Sequence, residues 1–246
     1  MPASLADEGD DLEKESWDDL KQYFPAYEVF WQLHVYPLRS SGIVYLREEI
    51  DNEMERMAIF NYSTYVSLAR GFRKIKSKLE DFKYFVELYA NLFRASELAG
   101  KTIAQFCLIY EKCLKKKITI HTKKIEKVSN RLRLYRNLIH GNILATRRNE
   151  AGKRFIPKAE KLEDYELWSR MRSSNQPSDF VDAEEQLWGD FKSLCSALQD
   201  SWKEMCQASA SLLTNADYMQ RLRSGRDFHI NVSGVPAASG SFIRND

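Results

Sequence analysis

Four residues near the middle of the chain carry groups that together could act on a phosphodiester. In RLRLYRNLIHGN, residues 131–142, Arg133, Arg136, Asn137 and His140 crowd ahead of Gly141. A guanidinium binds non-bridging phosphate oxygens through paired hydrogen bonds and offsets charge that grows in a transition state. An imidazole exchanges a proton near neutral pH. A histidine that takes the 2′-hydroxyl proton of RNA lets that oxygen attack the adjacent phosphorus without a metal. Asparagine beside them can orient the imidazole or the phosphate. The plain reading of the same residues is a polar helix ending, because His and Arg in a last turn interact favourably with the helix dipole and the final carbonyls.

These groups act together only if one helix face presents them. At about 100° per residue, Val128, Tyr135, Leu138 and Ile139 fall on one arc of residues 125–140. Glu126, Ser129, Arg133, Arg136, Asn137 and His140 fall on the opposite arc. The pattern predicts a helix from about Lys123 to His140, closed by Gly141 or Asn142, both suited to a left-handed cap. The surrounding chain is basic: between Lys112 and Lys161 there are sixteen Lys or Arg against Glu126, Glu150 and Glu160. Residues 7–19 (DEGDDLEKESWDD) are the reverse, with eight acidic groups and one lysine. A basic block inside a chain of net charge +2 points to a polyanionic partner, nucleic acid first. Lys123, Lys124, Lys127, Arg147, Arg148, Lys153 and Arg154 are its candidate RNA contacts. A solvated face paired with the acidic N-terminus is the alternative. Tyr110, Tyr135, Phe155 and Tyr165 could stack on bases, although aromatic residues at helical spacing more often pack in a core.

The elements around that helix predict an all-α protein. Ten Gly and six Pro are few for 246 residues, and 43% hydrophobic content is ample for a core. Ser16 as a cap, with Asp18 and Asp19 in the first turn, predicts a helix from near Ser16 to before Pro37, and apolar residues mostly three or four apart predict one from Ile43 to about Lys78 with a weak point at Gly71. Further helices are expected from about Leu79 to Leu98, ending at Gly100, from Thr102 to about Lys116, and from Val181 to about Leu213. Residues 143–158 (ILATRRNEAGKRFIPK) have a turn-like centre and predict a small hairpin or irregular loop, and SSNQPSD (173–179) reads as a polar loop. The expected architecture is a bundle of about five to six helices with that insertion after the Arg/His helix. A flexible acidic leader would cover 1–15, a single domain 16–224 and an extended or disordered tail 225–246.

The four cysteines, Cys107, Cys113, Cys195 and Cys206, are six and eleven residues apart within helical segments and form no C-x-x-C pair. They read as free thiols of a reducing compartment, with no metal site and no cofactor expected. No basic-then-apolar leader opens the sequence and no apolar run approaches the roughly 18 residues of a membrane span, so a cytoplasmic protein without membrane association is expected. Of the other histidines, His34 reads as packing, His121 lies between helices and His229 sits on the tail.

Arginine followed by asparagine, then histidine followed by glycine, at the end of a helix in an all-α chain resembles the HEPN domains (higher eukaryotes and prokaryotes nucleotide-binding). The resemblance covers about ten motif residues and the general helical pattern. It implies a metal-independent endoribonuclease of a microbial toxin or antiviral-defence system, with His140 transferring the proton, Arg136 or Arg133 binding phosphate and Asn137 supporting. It also implies a homodimer that brings two motifs into one cleft, and a regulatory or antitoxin partner protein. Members usually have four to six residues between the arginine and the histidine. Arg136 and His140 have three between them, and Arg133 and His140 have six, but with Leu134 where a polar residue is expected. A non-catalytic module that binds nucleic acid or nucleotide, and a helical protein-interaction subunit, are the readings that compete with the enzyme.

Overall fold

Proline interrupts the first expected helix at residue 25. It lacks an N–H and disfavours helical backbone in the residue before it, and Phe24 accordingly sits at φ −143° and ψ 57°. Pro25 then occupies the first turn of a new helix, α1 (Pro25–Phe30), where the missing N–H costs nothing. The chain continues through a π-helical turn, Trp31–Val35. The computed structural model describes residues 20–35, 53–76, 82–141, 147–148, 150, 152–159 and 177–224. The acidic leader, the start near Ser16 and the C-terminal tail lie outside them.

The fold is all-α. After α1 come α2 (Glu53–Lys76), α3 (Phe82–Leu114) and α4 (Lys123–Gly141). A small insertion follows, made of β1 (Arg147–Arg148), β2 (Arg154–Pro157) and β3 (Phe180–Asp182), and then α5 (Ala183–Leu213) and α6 (Ala216–Ser224). The hairpin expected over 143–158 is β1 and β2, antiparallel with Arg147 opposite Phe155 and Arg148 opposite Arg154. Gly152, at φ 77°, provides the left-handed residue of its turn. β3 adds to β2 with Ile156 opposite Val181, and Ile156 is buried.

The break expected at Gly100 is absent. α3 runs unbroken for 33 residues because its apolar stripe, Leu92, Ala95, Ala99, Ile103 and Phe106, keeps helical spacing across the glycine. The helix ends instead at Leu114, where Lys115 adopts φ 55° and its N–H bonds the Glu111 carbonyl at 2.9 Å. That is a left-handed cap made by a lysine in place of the usual glycine. α2 likewise runs through Gly71, where a Cβ would lie 2.8 Å from Leu92 Cδ2, so the glycine permits close approach of α2 to α3.

Packing gathers into two compact units, one drawn from the described residues of 20–23, 64–97 and 123–197, the other from those of 24–63, 98–122 and 198–224. The first unit buries Leu68, Phe72, Leu88, Leu132, Tyr135, Leu187 and Phe191. In the second, Trp202 packs edge-on against Phe24 and donates its indole N–H to Asn61 Oδ1 at 3.0 Å.

His34 lies fully buried in that second unit. Its Nδ1 is 2.5 Å from Tyr218 Oη and its Nε2 is 2.6 Å from Ser209 Oγ. Ser209 donates its hydroxyl proton to the Met205 carbonyl at 2.7 Å, so it accepts from Nε2–H, and Tyr218 must donate to Nδ1. A neutral imidazole satisfies every partner, and burial holds its pKa down at about 3.

Candidate active site

α4 carries every one of the four candidate residues, and its ends match the residues that the sequence marked. Its inner face is Ile125, Val128, Leu132 and Tyr135, all buried at the three-and-four spacing of a core helix. Tyr135 therefore belongs to the core, 5.2 Å from the Tyr89 ring centroid, and offers no stacking surface. The outer face is Lys123, Glu126, Lys127, Asn130, Arg133 and Asn137, all exposed. Position 140 follows Asn137 by three residues and Arg133 by seven, which continues that stripe in the last turn. The side chain of His140 lies outside the described residues.

Arg136 sits half-buried at the edge of the stripe. Its guanidinium lies over the Phe93 ring, 4.7 Å from the centroid, and its Nε is 3.3 Å from Asn137 Oδ1. A cation laid on an aromatic face keeps its charge while losing rotational freedom. Neither Arg136 nor Arg133 forms an ion pair with a carboxylate among the described residues. Ser129, placed on the polar arc by the sequence, is half-buried instead and hydrogen-bonds Ser96 Oγ at 2.9 Å. It fastens α4 to α3 and leaves the outer face to the charged and amide groups.

One further arginine is treated differently. Arg131 Nε donates to Asp190 Oδ1, and Asp190 is fully buried. Gln186 Nε2 donates to the same oxygen at 3.1 Å, and Tyr89 Oη donates to Oδ2 at 3.3 Å. Burial pushes the Asp190 carboxyl above its usual range, against the pull of Arg131 and the other donors. The Tyr89 phenol is raised by its own burial and by the neighbouring Asp190. This cluster joins α3, α4 and α5 within the first unit and fixes the rotation of α4. Its signal in the sequence is an acid on an apolar stripe, Leu187, Asp190, Phe191 and Leu194. No local signal relates Phe93 to Arg136.

The remaining candidate contacts are dispersed. Lys123, Lys124 and Lys127 are exposed at the opposite end of α4, and Lys127 stands about 20 Å from position 140 at the usual rise per residue. Arg148 lies opposite Arg154 across the hairpin, with the β1 side chains outside the described residues. Arg154 is half-buried. Lys153 is ion-paired with Asp182, whose other oxygen caps α5 by accepting from the N–H groups of Glu184 and Glu185 at 2.9 and 3.2 Å. Burial works to raise the Asp182 carboxyl, but Lys153 and those two N–H groups hold it below its usual value. Lys153 is thus ion-paired at the turn of the hairpin. Among the described residues no three His, Cys, Asp or Glu side chains group as a metal site, and no helix is long and apolar enough to cross a membrane.

No family model matches this chain, and no curated protein or solved structure shows significant similarity to it.

Proposed function

We propose that the chain is a metal-independent endoribonuclease of the HEPN type, acting from the basic face of α4 that ends at His140. The observation that supports this reading is the contrast along one helix: Arg131 is neutralised by Asp190, while Arg133 and Arg136 are left without a described carboxylate beside Asn137. Cations kept uncompensated next to an amide suit an anionic ligand, and the basic stripe back to Lys123 suits a long one. In the proposed reaction the His140 imidazole takes the 2′-hydroxyl proton and the freed oxygen attacks phosphorus. The bond to the 5′-oxygen breaks, and the imidazolium returns the proton to that leaving oxygen. Arg136 and Arg133 bind the non-bridging oxygens and offset their growing charge. Asn137, bonded to Arg136, fixes the direction of the guanidinium.

A cytoplasmic effector in a toxin or antiviral system, a second copy completing the cleft and a regulatory or antitoxin partner belong to the same proposal and rest on the resemblance. The short interval of three residues between Arg136 and His140 favours the rival reading, in which the face binds RNA or nucleotide and does not cut. Mass spectrometry of incubated single-stranded RNA separates the two. The proposal expects fragments ending in 2′,3′-cyclic phosphate and beginning with 5′-hydroxyl, lost when the substrate is 2′-deoxy. Salt-sensitive binding with intact RNA recovered would establish the binding module instead.

A further inference from the structure

A second cationic element lies in the segment joining α3 to α4. Residues 116–122 form neither helix nor sheet, and burial alternates over 117–121: Ile120 is buried and Ile118 half-buried, while Lys117, Thr119 and His121 are exposed. This is the pattern of an extended chain with one edge on a core and the other in water. The segment is pinned at its end within the second unit. The His121 N–H donates to Glu204 Oε2 at 2.9 Å, and the His121 carbonyl accepts from Ser201 Oγ at 2.8 Å.

Those backbone bonds alone would hold the segment, yet the imidazole is held as well. His121 Nδ1 is 2.9 Å from Glu204 Oε1, although the side chain is 82% exposed. A carboxylate only accepts, so Nδ1 carries the proton and Nε2 is the ring atom left toward solvent. Fixing an exposed ring costs side-chain entropy that packing does not return. Lys115, Lys116 and Lys117 lead into it, all exposed. Their one described acidic partner is Glu111, 3.9 Å from Lys117, an exposed pair worth little.

We propose that Lys115, Lys116, Lys117 and His121 form a second phosphate-binding strip, which takes the backbone of single-stranded RNA. Glu204 is its positioning residue: a phosphate on Nε2 and the carboxylate on Nδ1 share one doubly donating imidazolium. The strip asks for phosphates by its own chemistry, and the choice of RNA rests on the function proposed for α4.

Fluorescence anisotropy of labelled single-stranded RNA, measured across salt in a His140→Ala background, tests it without cleavage. The triple variant Lys116→Ser, Lys117→Ser, His121→Ala, with unchanged thermal melting, should bind about tenfold more weakly. Its log–log salt slope should flatten by about 2, at about 0.7 per lost phosphate contact. Glu204→Gln, which keeps an acceptor but loses the charge, should weaken binding in the same direction and by less. Unchanged affinity and slope in the triple variant overturn the strip. So does tighter binding of a polyglutamate peptide than of RNA, lost in that variant, which would assign the strip to an acidic protein. Failure of the α4 reading looks different: the chain with His140 intact leaves RNA uncut while the triple variant still flattens the slope.

Discussion

Lowering the pH should weaken the second unit through a single side chain, His34. Its folded-state pKa is depressed to about 3 from an ordinary value of 6.5. Above the ordinary value both folded and unfolded chains hold it neutral, and its contribution to stability is complete. As the pH falls, the unfolded chain takes up a proton that the folded chain refuses, so stability drops, and the loss continues until the folded pKa is passed. The slope is about 1.4 kcal/mol per pH unit, so the loss from about pH 7 to about pH 5 is about 2 kcal/mol. The full interval gives about 5 kcal/mol, a large share of the stability of an ordinary domain. Urea unfolding followed by circular dichroism measures it, with wild type and His34→Gln compared at both pH values. Glutamine does not titrate, so the variant should be less stable near neutrality yet lose about 2 kcal/mol less on acidification. Parallel declines in the two proteins would refute the buried, doubly bonded, neutral imidazole.

Three other substitutions separate packing from polarity. Arg131→Met leaves the fully buried Asp190 with Gln186 and Tyr89 as its only described donors, and should destabilise the first unit by about 3–5 kcal/mol near neutrality. Because the Asp190 carboxyl is already raised by burial, its proton-bound form is favoured on folding at low pH and that benefit is lost as pH rises, so the cost of the variant should shrink in acid. Unfolding curves at two pH values show this. Gly100→Ala and Gly71→Ala should have opposite effects on melting temperature although the chemical change is identical. Gly100 has open space where a Cβ would go and should gain about 0.5–1 kcal/mol, whereas Gly71 would press a methyl against buried Leu92 at 2.8 Å and should lose about 1 kcal/mol net.

What the sequence made legible was whatever depended on local chemistry. The limits of α4 follow from its periodicity and from Gly141, and the hairpin of β1 and β2 follows from the turn around Gly152. Contacts distant in sequence were not legible. β3 was expected to be loop and the start of a helix, because a short strand is defined by its partner Ile156 and not by its own residues. Gly100 carried a stop signal that a continuous apolar stripe overrode. At the site, Arg133, Arg136 and Asn137 were named from type and spacing. What distinguishes Arg131 from them is Asp190, 59 residues away, and what holds Arg136 is the ring of Phe93. His121 lies between helices in the sequence, and its hold by Glu204 depends on a helix 83 residues further on.

The most direct measurement is a gel-based RNase assay on single-stranded RNA with EDTA present, comparing wild type, His140→Ala, Arg136→Ala and Arg133→Ala, each checked for melting temperature. Cleavage is expected from wild type, with its abolition in His140→Ala and a loss of at least one order of magnitude in one or both arginine variants. Cleavage by well-folded His140→Ala at the wild-type rate would contradict this expectation.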